Sequence, residues 1–274
     1  ITFALAVGIA LGIWAAMRYT DLGKALRAMA EDGPIAAAFG INQRGLSLML
    51  AGLCAALAAI AGELDPTGAR VAHQVTDITD ADSCTALVDL ANERFGGVDA
   101  LAQVAAYDNA WGGLYDLKFE NWRNAFETNV LGALNVIRPA AEAMKARGGG
   151  SIILIGSQSM FAPQMPQGGY AASKGALLSA MYYLADELGP DNIRVNMVVP
   201  SWMWGPPVEM LMNWRAQNEE KTVDEALHDV VGKFPLRRMT EDGEVAEVVA
   251  FFASDLARAV TGQHLLVNAG EMSR

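Results

Sequence analysis

Cysteine is scarce. Cys54 and Cys84 are the only two in 274 residues, too few for a disulfide framework, and neither has the cysteine or histidine spacing that a zinc site requires. Histidine is scarce too: His73, His228 and His264 are scattered, which suits solvated or core positions, so no metal is expected. Basic charge is outweighed, with 20 lysines and arginines against 31 acidic residues and a net charge of −11. No basic stripe exists to follow a phosphate backbone, and nucleic acid is not an expected partner. A basic n-region is missing from residue 1 onwards, so no secretory signal is expected.

What is present divides into two unlike parts. Residues 1–60 hold four basic residues (Arg18, Lys24, Arg27, Arg44) against three acidic ones (Asp21, Glu31, Asp32), a balance of +1, which leaves −12 on the remainder. Two uncharged apolar runs, ITFALAVGIALGIWAAM (1–17) and LSLMLAGLCAALAAIAG (46–62), lie at the short limit for a membrane span, and they suit two buried helices equally well. The segment GKALRAMAEDGPIAAAFGIN between them resembles the cytoplasmic coupling segment of branched-chain amino-acid ABC transporter permeases. That resemblance implies an apolar helical segment over 1–62, with membrane contact as one alternative and a fusion of two unrelated pieces as another.

From about residue 63 the pattern becomes an alternation of strands and helices. ARVAHQVTD (69–77) reads as a strand ending in Asp77, and DADSCTALVDLANERFG (80–96) as a helix capped by an aspartate. VDALAQVAA (98–106) reads as a strand, 119–147 as a helix, GSIILIGS (150–157) as a buried strand and IRVNMVVP (193–200) as another. After a Met- and Trp-rich insert come a helix over 241–255 and the strand HLLVNAG (264–270). Such alternation predicts an α/β fold with a parallel sheet covered on both faces.

The chemistry gathers in GGYAASKGAL (168–177), where Tyr170 and Lys174 stand four residues apart. On a helix that spacing puts both on one face. A phenol titrates near ~10 in water, and a cation within roughly 4–6 Å favours its ionised form. Lowered toward neutrality, Tyr170 would donate and accept a proton at working pH. The small residues Ala171, Ala172, Ser173, Gly175 and Ala176 leave room for a flat ligand. Ser157 follows a strand thirteen residues upstream, where a doubly wound sheet places its ligands. Asn129 interrupts the apolar face of the preceding helix. Taken singly, each has a plain structural use: an exposed helix pair, a helix-capping serine, an asparagine satisfying a carbonyl.

Taken together, Asn129, Ser157, Tyr170 and Lys174, with RVNMVVP and TGQHLLVNAG, make residues 64–274 resemble the classical short-chain dehydrogenase/reductase family. The resemblance implies a Rossmann-like doubly wound sheet and an NAD(P)-dependent oxidoreductase acting on an alcohol or carbonyl. Tyr170 would be the general acid/base, and Lys174 would lower its pKa and hold the nicotinamide ribose. Ser157 would bond the substrate oxygen, and Asn129 would position a water linking Lys174 to solvent. Asp77 would grip the adenine, with Pro200 and Met203 at the nicotinamide edge. Such enzymes are cytoplasmic homo-oligomers, dimers or tetramers, acting on small molecules.

The pattern also departs from the family. No T-G-x-x-x-G-x-G turn precedes Asp77; the nearest run, VGIALGIWAAM, puts Trp14 where the third glycine belongs. The first βαβ unit is therefore expected to be missing and activity to be impaired, with a catalytically silent remnant as the alternative. The family's N-N-A-G is QVAA (103–106), the P-G of its cofactor loop is Pro200-Ser201, and Gly205 stands where a threonine is usual. The insert SWMWGPPVEMLMNW (201–214) suits either a bulky apolar substrate or a lid packed on its own core.

Overall fold

The computed structural model describes residues 71–163 and 165–272. The chain divides into two compact units, residues 1–75 and 76–274. Both apolar runs, the permease-like segment and the expected boundary at 62/63 lie outside the described residues. Among the described residues, no helix is long and apolar enough to cross a membrane.

The second unit opens with α1 (Ala81–Phe95). Asp80 caps it by accepting from the Asp82 N–H, and Gly96 ends it at φ 79°, a left-handed conformation that costs glycine little. Strand β1 (Ala100–Gln103) follows, then α2 (Phe119–Phe126), which runs into a π-helical turn (Glu127–Gly132) and on into α3 (Ala133–Ala146). Strand β2 (Gly150–Ile155) leads to α4 (Gly168–Leu188), and β3 (Ile193–Pro200) to the short β4 (Met203–Trp204). The insert forms α5 (Pro206–Asn218) and α6 (Val223–Val231); β5 (Thr240–Glu241), α7 (Asp242–Ala253) and β6 (His264–Val267) complete the unit.

Strands β1, β2, β3 and β6 form one parallel sheet in that order. Its register pairs Leu154 with Met197 and Pro200 with Val267. Pro200, which has no N–H to give a ladder, lies beyond Val198, the last residue that β2 pairs, so only β6 flanks it there. Side chains alternate between the faces. Ile152, Leu154, Val195 and Met197 pack against Ala133, Ile137, Met144, Leu177 and Met181 of α3 and α4. Ile153 and Val198 face Val245 and Phe252 of α7. Each large side chain buried this way contributes roughly 1.5–3 kcal/mol, so the apolar runs of β2 and β3 hold the carboxyl ends of the strands in place.

Two expectations need correction. The described part of the expected strand 69–77 is irregular, because residues 71–77 pair with no described strand. Its end curls instead: the Asp77 carboxylate accepts from the Thr79 N–H at 2.9 Å and the Thr79 hydroxyl at 2.7 Å. The helix expected over 119–147 is not uniform, since the π-helical turn interrupts it around Asn129. The insert packs on a core of its own, with Met212, Ala216 and Ala226 buried beside Trp202, Val208 and Leu211. The parallel pairing of Met203–Trp204 with Thr240–Glu241 ties its base to the start of α7.

Candidate active site

The sheet's carboxyl edge carries the polar residues. After β2 the chain passes Gly156, where an added Cβ would lie 2.6 Å from Met197 Sδ and would force that buried side chain to shift. Ser157 comes next, half-buried. It caps the single 3₁₀ turn Gln158–Met160, its oxygen accepting from the Ser159 N–H at 3.3 Å and the Ser159 hydroxyl at 2.9 Å. Capping uses only the lone pairs of the hydroxyl oxygen, which keeps its proton to give.

Tyr170 and Lys174 lie on the first two turns of α4, as the spacing predicts. Lys174 is 1% exposed, with Nζ 5.8 Å from the centre of the Tyr170 ring. Its hydrogen bond goes to the Ile155 carbonyl at the end of β2, at 2.8 Å. Burial pulls the ammonium down to about 8, while the charge of Asp108 works in the opposite sense. Burial pushes the Tyr170 phenol up to about 12; a hydrogen-bonding interaction with Ser157 opposes this and Asp108 reinforces it. The phenol shift is thus opposite to the sequence expectation. Spacing reports that a cation is near, but not that both groups are taken out of water, and desolvation outweighs the neighbour.

Asn129 is fully buried within the π-helical turn. Its Oδ1 accepts from the Tyr107 N–H at 2.6 Å, and its Nδ2 donates to the Tyr107 carbonyl and to Ser173 Oγ, both at 2.8 Å. Ser173 in turn donates to the Tyr170 carbonyl at 2.7 Å. The side chain therefore braces the loop after β1 against the Tyr170 helix. With both amide hydrogens engaged, the Asn129 side chain keeps only the second lone pair of Oδ1 to offer.

The other expected residues are more dispersed. Asp77 is exposed and engaged in its own turn, and its N–H donates to Ser83 Oγ at 3.0 Å. That turn is tied to the Asn129 helix: Asn135 Nδ2 donates to the Ile78 carbonyl at 3.1 Å, and a Cβ on Gly132 would lie 3.1 Å from Ile78 Cγ2. Pro200 is buried at the end of β3, and Met203 packs against the α7 side of the sheet.

Sequence reasoning passed over Ser173, Tyr107 and Asp108. Ser173 could have been found, since it lies three residues after Tyr170 and so on the same helical face. Tyr107 and Asp108 carry no local signal and reach the site through the tertiary fold. Gln103, in place of the first asparagine of N-N-A-G, donates from Nε2 to the Ala105 carbonyl at 2.8 Å, but its buried Oε1 has no partner among the described residues.

A nucleotide sugar fits this edge. An ammonium has three donors, and Lys174 gives one to Ile155, so two lack a partner among the described residues. Paired ribose hydroxyls would satisfy them. Val104, Ala105 and Ala106 are exposed just past the end of β1.

Comparison with known proteins identifies the family of the fold. A sequence profile described as enoyl-(acyl carrier protein) reductase matches residues 34–271. Dehydrogenase/reductase SDR family member 4 of Homo sapiens is 32% identical over 219 residues, 80% of this chain and 74% of its own length. An NAD⁺-bound xylitol dehydrogenase superposes with a TM-score of 0.66 at 27% identity, covering 72% of this chain and 78% of that one. A variant actinorhodin polyketide ketoreductase solved with NADPH gives 0.65 at 31% identity, covering 72% and 76%. The chain belongs to the short-chain dehydrogenase/reductase family of oxidoreductases. The profile takes in the second apolar run, 46–62, and the resemblance of that region to a permease finds no support in these comparisons.

Proposed function

We propose that the chain interconverts an alcohol and a carbonyl on a small, apolar substrate, with NAD or NADP as its cofactor. The observation that carries this is the meeting of Ser157, Tyr170 and Lys174 at the carboxyl end of a parallel sheet, where α/β folds take their ligands. When bound, the nicotinamide nucleotide supplies or accepts the hydride. Lys174 would hold its ribose, Pro200 and Met203 would border its nicotinamide, and Asp77 its adenine.

The chain's own residues handle the proton. In reduction, Ser157 donates a hydrogen bond to the carbonyl oxygen and holds it beside the phenol. Tyr170 then transfers its proton to that oxygen as negative charge develops there. A phenol held up at about 12 is fully protonated at neutral pH, so the cofactor-free site is poised as an acid, for reduction. Asn129 keeps Tyr170 in line through Ser173. The insert α5–α6, with Trp202 and Trp204 at its root, would cover an apolar substrate. The homo-oligomer that the family resemblance implies is part of this proposal.

The experiment is direct. The purified chain is mixed with a panel of neutral aldehydes and ketones and with NADH or NADPH, and loss of the reduced-nicotinamide absorbance is followed. Turnover of any member supports the proposal. Absence of turnover in every combination, with the sheet folded, contradicts it and favours a silent relative.

A further inference from the structure

The segment after β6 reaches back across the sheet. Val267 pairs with Pro200, so Asn268 emerges beside the end of β3. From there its Nδ2 donates to Gln158 Oε1 at 2.6 Å, a bond that crosses the end of β3 and meets the turn following β2. Both residues are more than nine-tenths buried, Gln158 at 2% and Asn268 at 6% exposure. Gln158 directly follows Ser157, and its carbonyl accepts from the Phe161 N–H at 2.9 Å and the Ala162 N–H at 3.2 Å. Side chain and backbone of Gln158 thus both fix the turn that Ser157 opens.

Asn268 is itself held firmly. Its Nδ2 also donates to the Met272 carbonyl at 2.9 Å, and its Oδ1 accepts from the Gly270 N–H at 3.0 Å. Its own carbonyl accepts from the Glu271 N–H at 2.9 Å, which closes a tight turn. Within that turn Ala269 takes φ 52°, a left-handed conformation that alanine adopts where its surroundings impose it. Two outside bonds tether the turn: the Leu236 N–H donates to the Ala269 carbonyl at 3.2 Å, and the Ser201 hydroxyl donates to the Glu271 carboxylate.

We infer that Asn268 is a positioning residue, which aims the Ser157 hydroxyl at the substrate oxygen through Gln158. The inference rests on the oxidoreductase reading above and adds a residue to its machinery. Asn268 bonds the turn beside the reacting groups, and a buried amide deprived of its partner has no bulk water to replace it. Without Asn268 the Gln158 side chain must move to find a donor. Ser157 shares a peptide unit with Gln158, so a shift of that turn is a shift of the hydroxyl. A displacement of about 1 Å at a reacting group costs roughly a hundredfold in rate.

The test is a cycle of variants in the full chain: parent, Asn268→Leu, Ser157→Ala and the double variant. Each is given a carbonyl the parent reduces and NADH or NADPH deuterated at the transferring carbon, and kcat is read from the mass of the labelled product. Asn268→Leu should lower kcat about tenfold to a hundredfold in the parent background but less than about threefold in Ser157→Ala, where no hydroxyl is left to aim. Equal losses in both backgrounds, or no loss in the parent, overturn the inference, because a residue that only supports the fold acts whether or not Ser157 is present. Should Asn268→Leu fail to fold, Gln158→Met takes its place with the same expected pattern: it removes the same bond and leaves the Asn268 bonds to Gly270 and Met272. If the parent reduces no carbonyl with either nucleotide, the oxidoreductase reading fails and this inference falls with it. An active parent with equal losses in both backgrounds removes the inference alone.

Discussion

Lys174 stands over the ring of Tyr170, 5.8 Å from its centre, yet gives its hydrogen bond to the end of β2 rather than to the phenol. The two groups share a face without forming an ion pair. Lys174 is almost wholly buried and Tyr170 half-buried, and each is driven toward its neutral form, the lysine down to about 8 and the tyrosine up to about 12. The site therefore stores a desolvation cost that a polar ligand would relieve.

That cost has a pH signature. Lys174 titrates at about 8 in the folded chain against 10.5 ordinarily, so between these values the unfolded chain holds a proton that the folded chain has shed. Stability must then rise with pH through this window, and the burial penalty is fully felt below about 8. Tyr170 has the opposite sign: its raised value contributes stability that is lost only as pH climbs from 10.0 toward about 12. From about pH 8 to about pH 10 the lysine should add about 2–3 kcal/mol, opposed above about 9.0 by the Cys84 thiol, which burial pushes up and which is common to the parent and the lysine variant. Urea unfolding at both ends of that window, on the parent and on Lys174→Met, checks this. The variant should lack the increase, and an equal increase in both would refute the assignment.

The N-terminal turn of α4 depends on glycine for a reason that can be measured. A Cβ at Gly169 would sit 2.8 Å from the Ala110 methyl and 2.9 Å from Cγ and Cδ1 of Trp122. Gly169→Ala should cost roughly 1–3 kcal/mol by overpacking and reduce turnover by displacing Tyr170. Trp122→Ala, which removes Cγ and Cδ1 and leaves only the Ala110 contact, should restore part of the stability in the double variant. Strict additivity of the two changes in unfolding free energy would show that the contact is not the cause.

Nucleotide affinity should be weak. No T-G-x-x-x-G-x-G turn occurs in this sequence, and backbone N–H bonds to phosphate are worth roughly 1.5–3 kcal/mol each. The loss of two or three of them takes a micromolar site to about 1 mM or weaker. Calorimetry should therefore find NADH and reduced nicotinamide mononucleotide binding alike, because the half of the dinucleotide beyond the first phosphate finds little to hold. Micromolar affinity for NADH alone would mean that residues 1–70 build a phosphate site with no glycine signature.

Much of this was legible beforehand, and unevenly. Strand β3 was read residue for residue as 193–200, because an apolar run ending in proline leaves little choice. The Asp80 cap and the Tyr170 helix followed from local chemistry in the same way. The strand expected up to Asp77 was not found among residues 71–77, since alternating apolar residues do not reveal whether a neighbouring strand exists to pair with. The π-helical turn at Asn129 was invisible, as the partners its side chain meets there, Tyr107 and Ser173, are distant in sequence. The phenol shift was misjudged for the same reason: spacing counts neighbours, whereas the tertiary fold decides how much water remains.

The central claim is that Tyr170 gives up the proton in carbonyl reduction. It is tested most directly by comparing the parent chain with Tyr170→Phe at the highest soluble cofactor concentration, using a carbonyl the parent reduces and NAD(P)H deuterated at the transferring carbon. The account predicts that the parent places deuterium on the carbonyl carbon, and that the variant keeps its fold and cofactor affinity while losing at least about a thousandfold in rate, at the upper range for a positioned acid. A variant that transferred deuterium at near the parental rate would contradict it.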